Sequence, residues 1–217
     1  MTKTLVILSM VLFAGCTTDT SRPVLRIASD ATFAPFHFPD EAGGATGFDI
    51  ELARAVASDA GFEPLVVVLP YDELFSGLLA KMHDVVAATT GITPERERIY
   101  LFGEPYIETC QVAVVRAGPG EPETLADLRG APVGAAGAGT SMKALQTIAG
   151  NRIRLGDGEG VSSLEAGIVD AWIVGEFDGV TAARASQGRL RVLSEAVALE
   201  QYASVLAADR GGPEGKA

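Results

Sequence analysis

The chain has 217 residues, enough for one or two domains, and with 47% hydrophobic against 21% charged residues it can build a core, which excludes wholesale disorder. Its 28 acidic residues outnumber 17 basic ones for a net charge of −11, so no nucleic-acid partner is expected. Two cysteines allow at most one disulfide and two histidines leave little for a His-based metal site, so neither metal nor cofactor is expected.

Lys3 precedes an apolar run from Leu5 to Phe13, with no acidic residue before Asp19. The run is too short to span a bilayer and reads as the core of a signal peptide covering residues 1–15. Phe13-Ala14-Gly15-Cys16 sets small residues directly before a cysteine and resembles a bacterial lipobox, with Phe13 where that motif usually has leucine. On this reading Cys16 is lipidated and becomes the mature N-terminus, and residues 16–23, polar and proline-ended, form a tether. An ordinary secretory signal is the alternative. With Cys16 acylated no disulfide is expected, and Cys110 reads as an inert half-buried thiol with no base near it in sequence.

Beyond the tether, short β runs alternate with helical segments. Val24–Ser29 reads as a strand, and Phe48–Ala60 as a helix, because Ile50, Ala53, Val56, Ala57 and Ala60 recur at helical spacing before Gly61. Pro64–Leu69 is a second strand, and Asp72 is expected to cap a helix through Ala80. Val85–Ala88 reads as a strand buried on both faces, and Thr93-Pro94 opens a short helix with cap and first-turn proline in place. After Gln111–Val115 the alternation continues through Leu125–Leu128, Pro132–Ala136, Ser141–Ile148, Ile153–Leu155, Val161–Ala166, Ala171–Val174 and Phe177–Ala185. The pattern is α/β with largely parallel sheets. The Gly/Pro-rich Arg116–Glu123 is a seam between two halves, and Gly211–Ala217 reads as a disordered tail.

Three segments carry chemistry, each where a strand meets a loop or helix start, the place at which open α/β sheets bind ligands. Asp30-Ala31-Thr32-Phe33-Ala34-Pro35-Phe36 sets a carboxylate and aromatics on a proline-stiffened loop. Ala88 to Arg96 offers the hydroxyls of Thr89 and Thr90, the bare backbone of Gly91 and then a guanidinium, whose planar fork suits a carboxylate. Gly137-Ala138-Gly139-Thr140-Ser141 opens a helix with small residues, suited to an anion. His37 and His83, single and far apart, read as surface or core residues.

Gly47-Phe48-Asp49-Ile50-Glu51-Leu52, followed by Val56, Ala57 and Ala60, resembles the family 3 bacterial extracellular solute-binding proteins, receptors of polar amino acid uptake systems of the ABC type. The resemblance extends to Asp30–Phe36, to Asp84 with Ile92–Arg96, to Phe102–Tyr106, to Leu125–Gly130 and to Leu164–Gly167 with Asp170-Ala171. It spans roughly residues 24–205.

The resemblance implies an α/β, bilobal, periplasmic-binding-protein-like clamp of type II, its two lobes joined by a two-strand hinge. Residues 24–109 plus 201–217 would form lobe one and residues 110–200 lobe two. Arg96 would fork the ligand's α-carboxylate, helped by Thr140, Ser141 and the amides beside them; Thr89 and Gly91 would add polar contacts. Phe33 and Tyr71 would sandwich the ligand's side chain, and Asp30 would face it. Where the family usually carries an ammonium-holding aspartate this chain has Gly175; Glu176 is expected to take that place, with Asp178 the other candidate.

The function implied is a monomeric extracytoplasmic receptor, lipid-anchored to a bacterial membrane in the periplasm or at the cell surface, that is not an enzyme. It would deliver an amino acid, or a related small carboxylate, to an ABC permease. The alternatives are a cyclohexadienyl (prephenate or arogenate) dehydratase-like enzyme on the same fold, with Glu176 or Asp178 as general acid, or a truncated non-functional copy.

Overall fold

A computed structural model describes residues 22–136 and 139–208. The signal peptide, Cys16 with most of its tether, Gly137 and Ala138, and the tail from residue 209 lie outside the described residues.

Strand β1 (Val24–Ser29) buries its second half, Ile27-Ala28-Ser29, completely. A small hairpin of β2 (Phe38–Pro39) and β3 (Ala45–Thr46) closes a turn in which Asp40 Oδ1 accepts the amides of Ala42 and Gly44. Helix α1 (Phe48–Asp59) starts from Gly47, whose φ of 116° a side chain would strain. A Cβ there would also lie 2.5 Å from the carbonyl oxygen of Phe36, so only glycine lets the Phe33–His37 loop sit on the helix start. That loop answers the first free amides: Phe48 N–H donates to Pro35 and Asp49 N–H to Phe36. Ile50, Ala53 and Ala57 form the buried stripe of α1.

After β4 (Glu63–Val68) comes α2 (Tyr71–Leu79). Asp72 is not its cap, as the sequence suggested. Pro70 holds that position without a side-chain bond, so the helix begins at Tyr71 and Asp72 lies inside the first turn, where its charge still suits the helix dipole. Strand β5 (Val85–Gly91) is buried along nearly its whole length and runs three residues past Ala88. Thr93 caps the one-turn helix α3 (Pro94–Glu97) through the Arg96 amide, at 3.3 Å. Next come β6 (Tyr100–Phe102) and the long β7 (Ile107–Arg116). Leu125–Leu128 is a 3-10 turn, closed reciprocally by Thr124 and Asp127.

The second half contains β8 (Pro132–Ala136), α4 (Thr140–Leu145), β9 (Asn151–Leu155), α5 (Gly160–Glu165), β10 (Ala171–Gly175), α6 (Glu176–Ala185), β11 (Leu190–Val192) and β12 (Ala198–Ala207). Hydrogen bonding runs unbroken in the order β4-β1-β5-β12-β7-β10-β8-β9, with β6 beside β12 and β11 beside β7. The expectation of largely parallel sheets holds only at the flanks. β1 pairs parallel with β4 and β5, and β8 with β9 and β10. The centre is antiparallel, because β7 and β12 run past each other and each belongs to both halves.

Helices cover both faces of each half. In the first, one core gathers Ile27, Ile50 and Ala87 under α1, and another Leu74, Leu78, Val86 and Val205 under α2. In the second, Ala113, Val133, Leu145 and Ile173 pack beneath α4, and Val112, Leu164, Val169 and Val174 on the opposite face. The result is a bilobal α/β clamp of type II with two crossing strands between its lobes. Ile99, Leu101 and Leu206 remain exposed on the first lobe.

Candidate functional site

The ends of β5, β7, β10 and β12 converge with the Asp30–His37 loop on a cavity of about 300 Å³ between the lobes. A wider concavity at the second lobe's edge holds Arg116, but Glu121 and Asp170 already pair with it, at 3.0 and 2.7 Å. The cavity between the lobes offers a cation without such a partner. Arg96 Nη1 donates to the Gly91 carbonyl at 2.8 Å and Nη2 to the Tyr71 hydroxyl at 3.3 Å. Its guanidinium carbon lies 5.6 Å from the centre of the Phe75 ring, within cation–π range. Among the described residues it forms no ion pair with any carboxylate, so a fixed, oriented guanidinium faces the cavity.

Thr89 is held in an uncommon conformation for a β-branched residue, φ 39°. The buried Asp49 of α1 fixes it, accepting the Thr89 amide at 2.6 Å; burial pushes the Asp49 carboxyl up against that hydrogen bond. The Thr89 hydroxyl meets His37 Nε2 at 3.2 Å, while Thr90, which the sequence offered as a second hydroxyl, is buried and does not line the cavity. On its other side, His37 Nδ1 lies 3.2 Å from Asp30 Oδ1. Burial raises the Asp30 carboxyl, but its contacts with His37 and Thr32 outweigh that and hold it below the usual range. His37 is therefore buried and built into the cavity wall, and His83 is a core residue bonded to the Leu74 carbonyl at 2.7 Å.

Eight of the nine sequence-derived ligand contacts, Asp30, Phe33, Tyr71, Thr89, Gly91, Arg96, Thr140 and Ser141, line this one cavity. Phe33 rests on Phe36 with centroids 5.3 Å apart, and Tyr71 on Phe75 at 5.6 Å, so both aromatic walls are themselves supported. The ninth, Glu176, does not belong. Helix α6 starts at Glu176 and turns its carboxylate away, onto the Thr109 hydroxyl at 3.1 Å and the Cys110 thiol at 3.7 Å. Asp178, two residues on, lines the cavity instead. Asp178 is exposed as a residue, and desolvation pushes its carboxyl up. Cys110 is free, and burial followed by the nearby Glu176 pushes its thiol up, so it is a poor nucleophile.

Sequence reasoning missed Gln111 and Glu200, which come from the crossing strands. Gln111 is buried and donates to Glu200 Oε2 at 2.5 Å and to Thr140 Oγ1 at 3.2 Å, while its own oxygen accepts from Ser141 at 2.7 Å. Glu200 is buried and shares its strand face with Tyr202, whose hydroxyl is pushed up by burial and by Glu200. The available signal was a polar residue opening or interrupting an apolar strand, as in Gln111-Val112-Ala113 and Leu199-Glu200-Gln201. Among the described residues no cluster of His, Cys, Asp and Glu has the makings of a metal site, and no helix is long and apolar enough to cross a membrane.

Comparison with known proteins gives this geometry a lineage. The chain is 29% identical over 185 residues to the L-cystine-binding protein TcyJ of Escherichia coli (strain K12), covering 83% of this chain and 69% of that protein. It is 36% identical over 106 residues to a probable amino-acid ABC transporter-binding protein of Haemophilus influenzae, a match spanning 49% of this chain and 41% of the relative. The arginine-bound form of truncated ArgBP from T. maritima superposes with a TM-score of 0.68 at 30% identity, covering 88% of this chain and 91% of that one. Residues 25–198, from β1 to the start of the returning strand, match the profile of the bacterial extracellular solute-binding proteins, family 3, and to that family the chain belongs.

Proposed function

We propose that the protein is an extracytoplasmic receptor that closes its two lobes on an amino acid, or a related small carboxylate, and delivers it to a membrane permease of the ABC type. The observation that carries this is Arg96: a guanidinium positioned by Gly91, Tyr71 and Phe75, unpaired with any described carboxylate, in a cavity between lobes. A free carboxylate ligand completes it as a forked pair. Thr89, Thr140 and Ser141 supply polar contacts, and Phe33 and Tyr71 the apolar walls. The names of the relatives, binding proteins for cystine and arginine, agree with an amino acid as the cargo.

In this reading residues 24–109 with 201–217 form lobe one and 110–200 lobe two, with the crossing strands as hinge. The signal peptide ends before Cys16, whose lipidation anchors a monomer to the membrane. The role is binding, not catalysis. A thermal-shift screen of the mature chain against the twenty amino acids and small dicarboxylates tests it: at least one ligand is expected to raise the melting temperature, and none doing so overturns it.

Asp178 favours one second reading. A carboxyl pushed up by desolvation, in the same cavity as a guanidinium, is suited to general-acid work. Incubation with prephenate or arogenate decides it: release of phenylpyruvate or phenylalanine with carbon dioxide supports a dehydratase, and unchanged substrate removes it.

A further inference from the structure

The groups lining the cavity are unbalanced in charge: one guanidinium, Arg96, against the carboxylates of Asp30, Asp178 and Glu200. Asp30 is engaged by His37 and Thr32. Asp178 is exposed, and desolvation raises its carboxyl above the usual range. Glu200 differs from both. It is buried, stands on the crossing strand β12, and is oriented by Gln111 at Oε2 with the Tyr202 hydroxyl as a second neighbour.

Its other oxygen sits against Gly91, where any Cβ on that residue would collide with Oε1. The carbonyl of the same Gly91 accepts Arg96 Nη1 at 2.8 Å. One glycine thus has a guanidinium at its carbonyl and a carboxylate over its Cα, and the two charges form no ion pair with each other. Opposite charges held at one residue's span, but kept from pairing, match a ligand that carries an ammonium and a carboxylate on one carbon. Across the cavity, Gly175 supplies no competing charge: a Cβ there would meet only the Tyr202 hydroxyl at 3.5 Å and Gln111 Nε2 at 3.8 Å, leaving room for the ligand.

We propose that Glu200 holds the α-ammonium of the ligand while Arg96 holds its carboxylate, so that the site selects zwitterionic α-amino acids over simple carboxylates. The assignment rests on the receptor reading above. It also explains why position 91 is glycine: the carboxylate occupies the space of its side chain. Because Glu200 lies on a strand shared by both lobes, ligand capture and lobe closure act on the same element.

The test is calorimetric titration of wild type and Glu200→Gln with the amino acid that gives the largest thermal shift, and with the same molecule lacking its amino group. Glu200→Gln is expected to weaken the amino acid about 100-fold and the des-amino acid less than about threefold, since only a charged partner is lost. Amino-acid affinity within about threefold of wild type overturns the assignment, and so does an equal loss for both ligands, which marks a merely structural glutamate. If Glu200→Gln does not fold, Gly91→Ser reads the same geometry by displacing the carboxylate. It is expected to lower amino-acid affinity about tenfold, and unchanged affinity overturns the proposal. Wild type that takes up no amino acid at all counts against the receptor reading; wild type that binds beside a Glu200→Gln that binds equally well counts against Glu200 alone.

Discussion

Asp49 shows how one buried side chain positions a site it does not line. It sits in the first turn of α1 and accepts the amide of Thr89, holding a threonine at φ 39°. Asp49→Ala leaves that half-buried amide without its acceptor and is expected to cost about 1–3 kcal/mol, read from urea unfolding. Affinity for the ligand is expected to fall with it, because the Thr89 hydroxyl loses its anchor. Unchanged stability would show that the strand end holds its shape alone. The Asp30–Phe36 loop, the Thr89–Gly91 turn and Arg96 stood out in the sequence because each follows a strand end, whereas Tyr71 and the ligand roles of Phe33 and Arg96 came from the family resemblance. Gln111 and Glu200, 89 residues apart and hydrogen-bonded, were not legible. Which face they present is set by long-range strand register, and register is invisible to local periodicity. Glu176 was misplaced for a related reason: the helix starts on it, and the turn carries Asp178, not Glu176, into the cavity.

At the scale of elements, long apolar runs with sharp ends were placed within a residue or two, as with β1, α1, β8 and β10. The two- and three-residue strands β2, β3, β6 and β11 have too few residues to show a period and exist because neighbours pair with them. Close packing between elements makes its own prediction at Gly160. This first residue of α5 touches the indole of Trp172 on β10, and a Cβ there would collide with the ring. Gly160→Ala is expected to destabilise the second lobe by about 1–3 kcal/mol through overpacking. Trp172 is the sole tryptophan of the sequence, so the displacement is read directly as a shift in tryptophan emission. An unshifted spectrum with unchanged stability would contradict the tight contact.

Across the whole molecule, Lys143 of α4 in the second lobe bonds Glu95 of α3 in the first, the one salt bridge among the described residues that joins the two lobes. The Lys143 ammonium holds the exposed Glu95 carboxyl down to about 2. A lowered folded pKa means the pair supports the folded arrangement of α3 and α4 above the ordinary glutamate range and loses that support as pH falls toward about 2. An exposed pair is screened by salt, so Lys143→Ala is expected to weaken ligand affinity by only about two- to fivefold at low ionic strength, and by nothing measurable near 1 M salt. A salt-independent loss would place Lys143 in ligand contact instead of at the rim.

The pair is a rim contact, whereas the clamp's purpose lies in its cavity, and there the central claim is that Arg96 takes a ligand carboxylate. Calorimetric titration of wild type and Arg96→Ala with the amino acid that best stabilises the wild type measures this most directly. Losing the forked partner is predicted to weaken binding about 100-fold or more. An Arg96→Ala protein that folds normally and binds within about threefold of wild type would contradict the account.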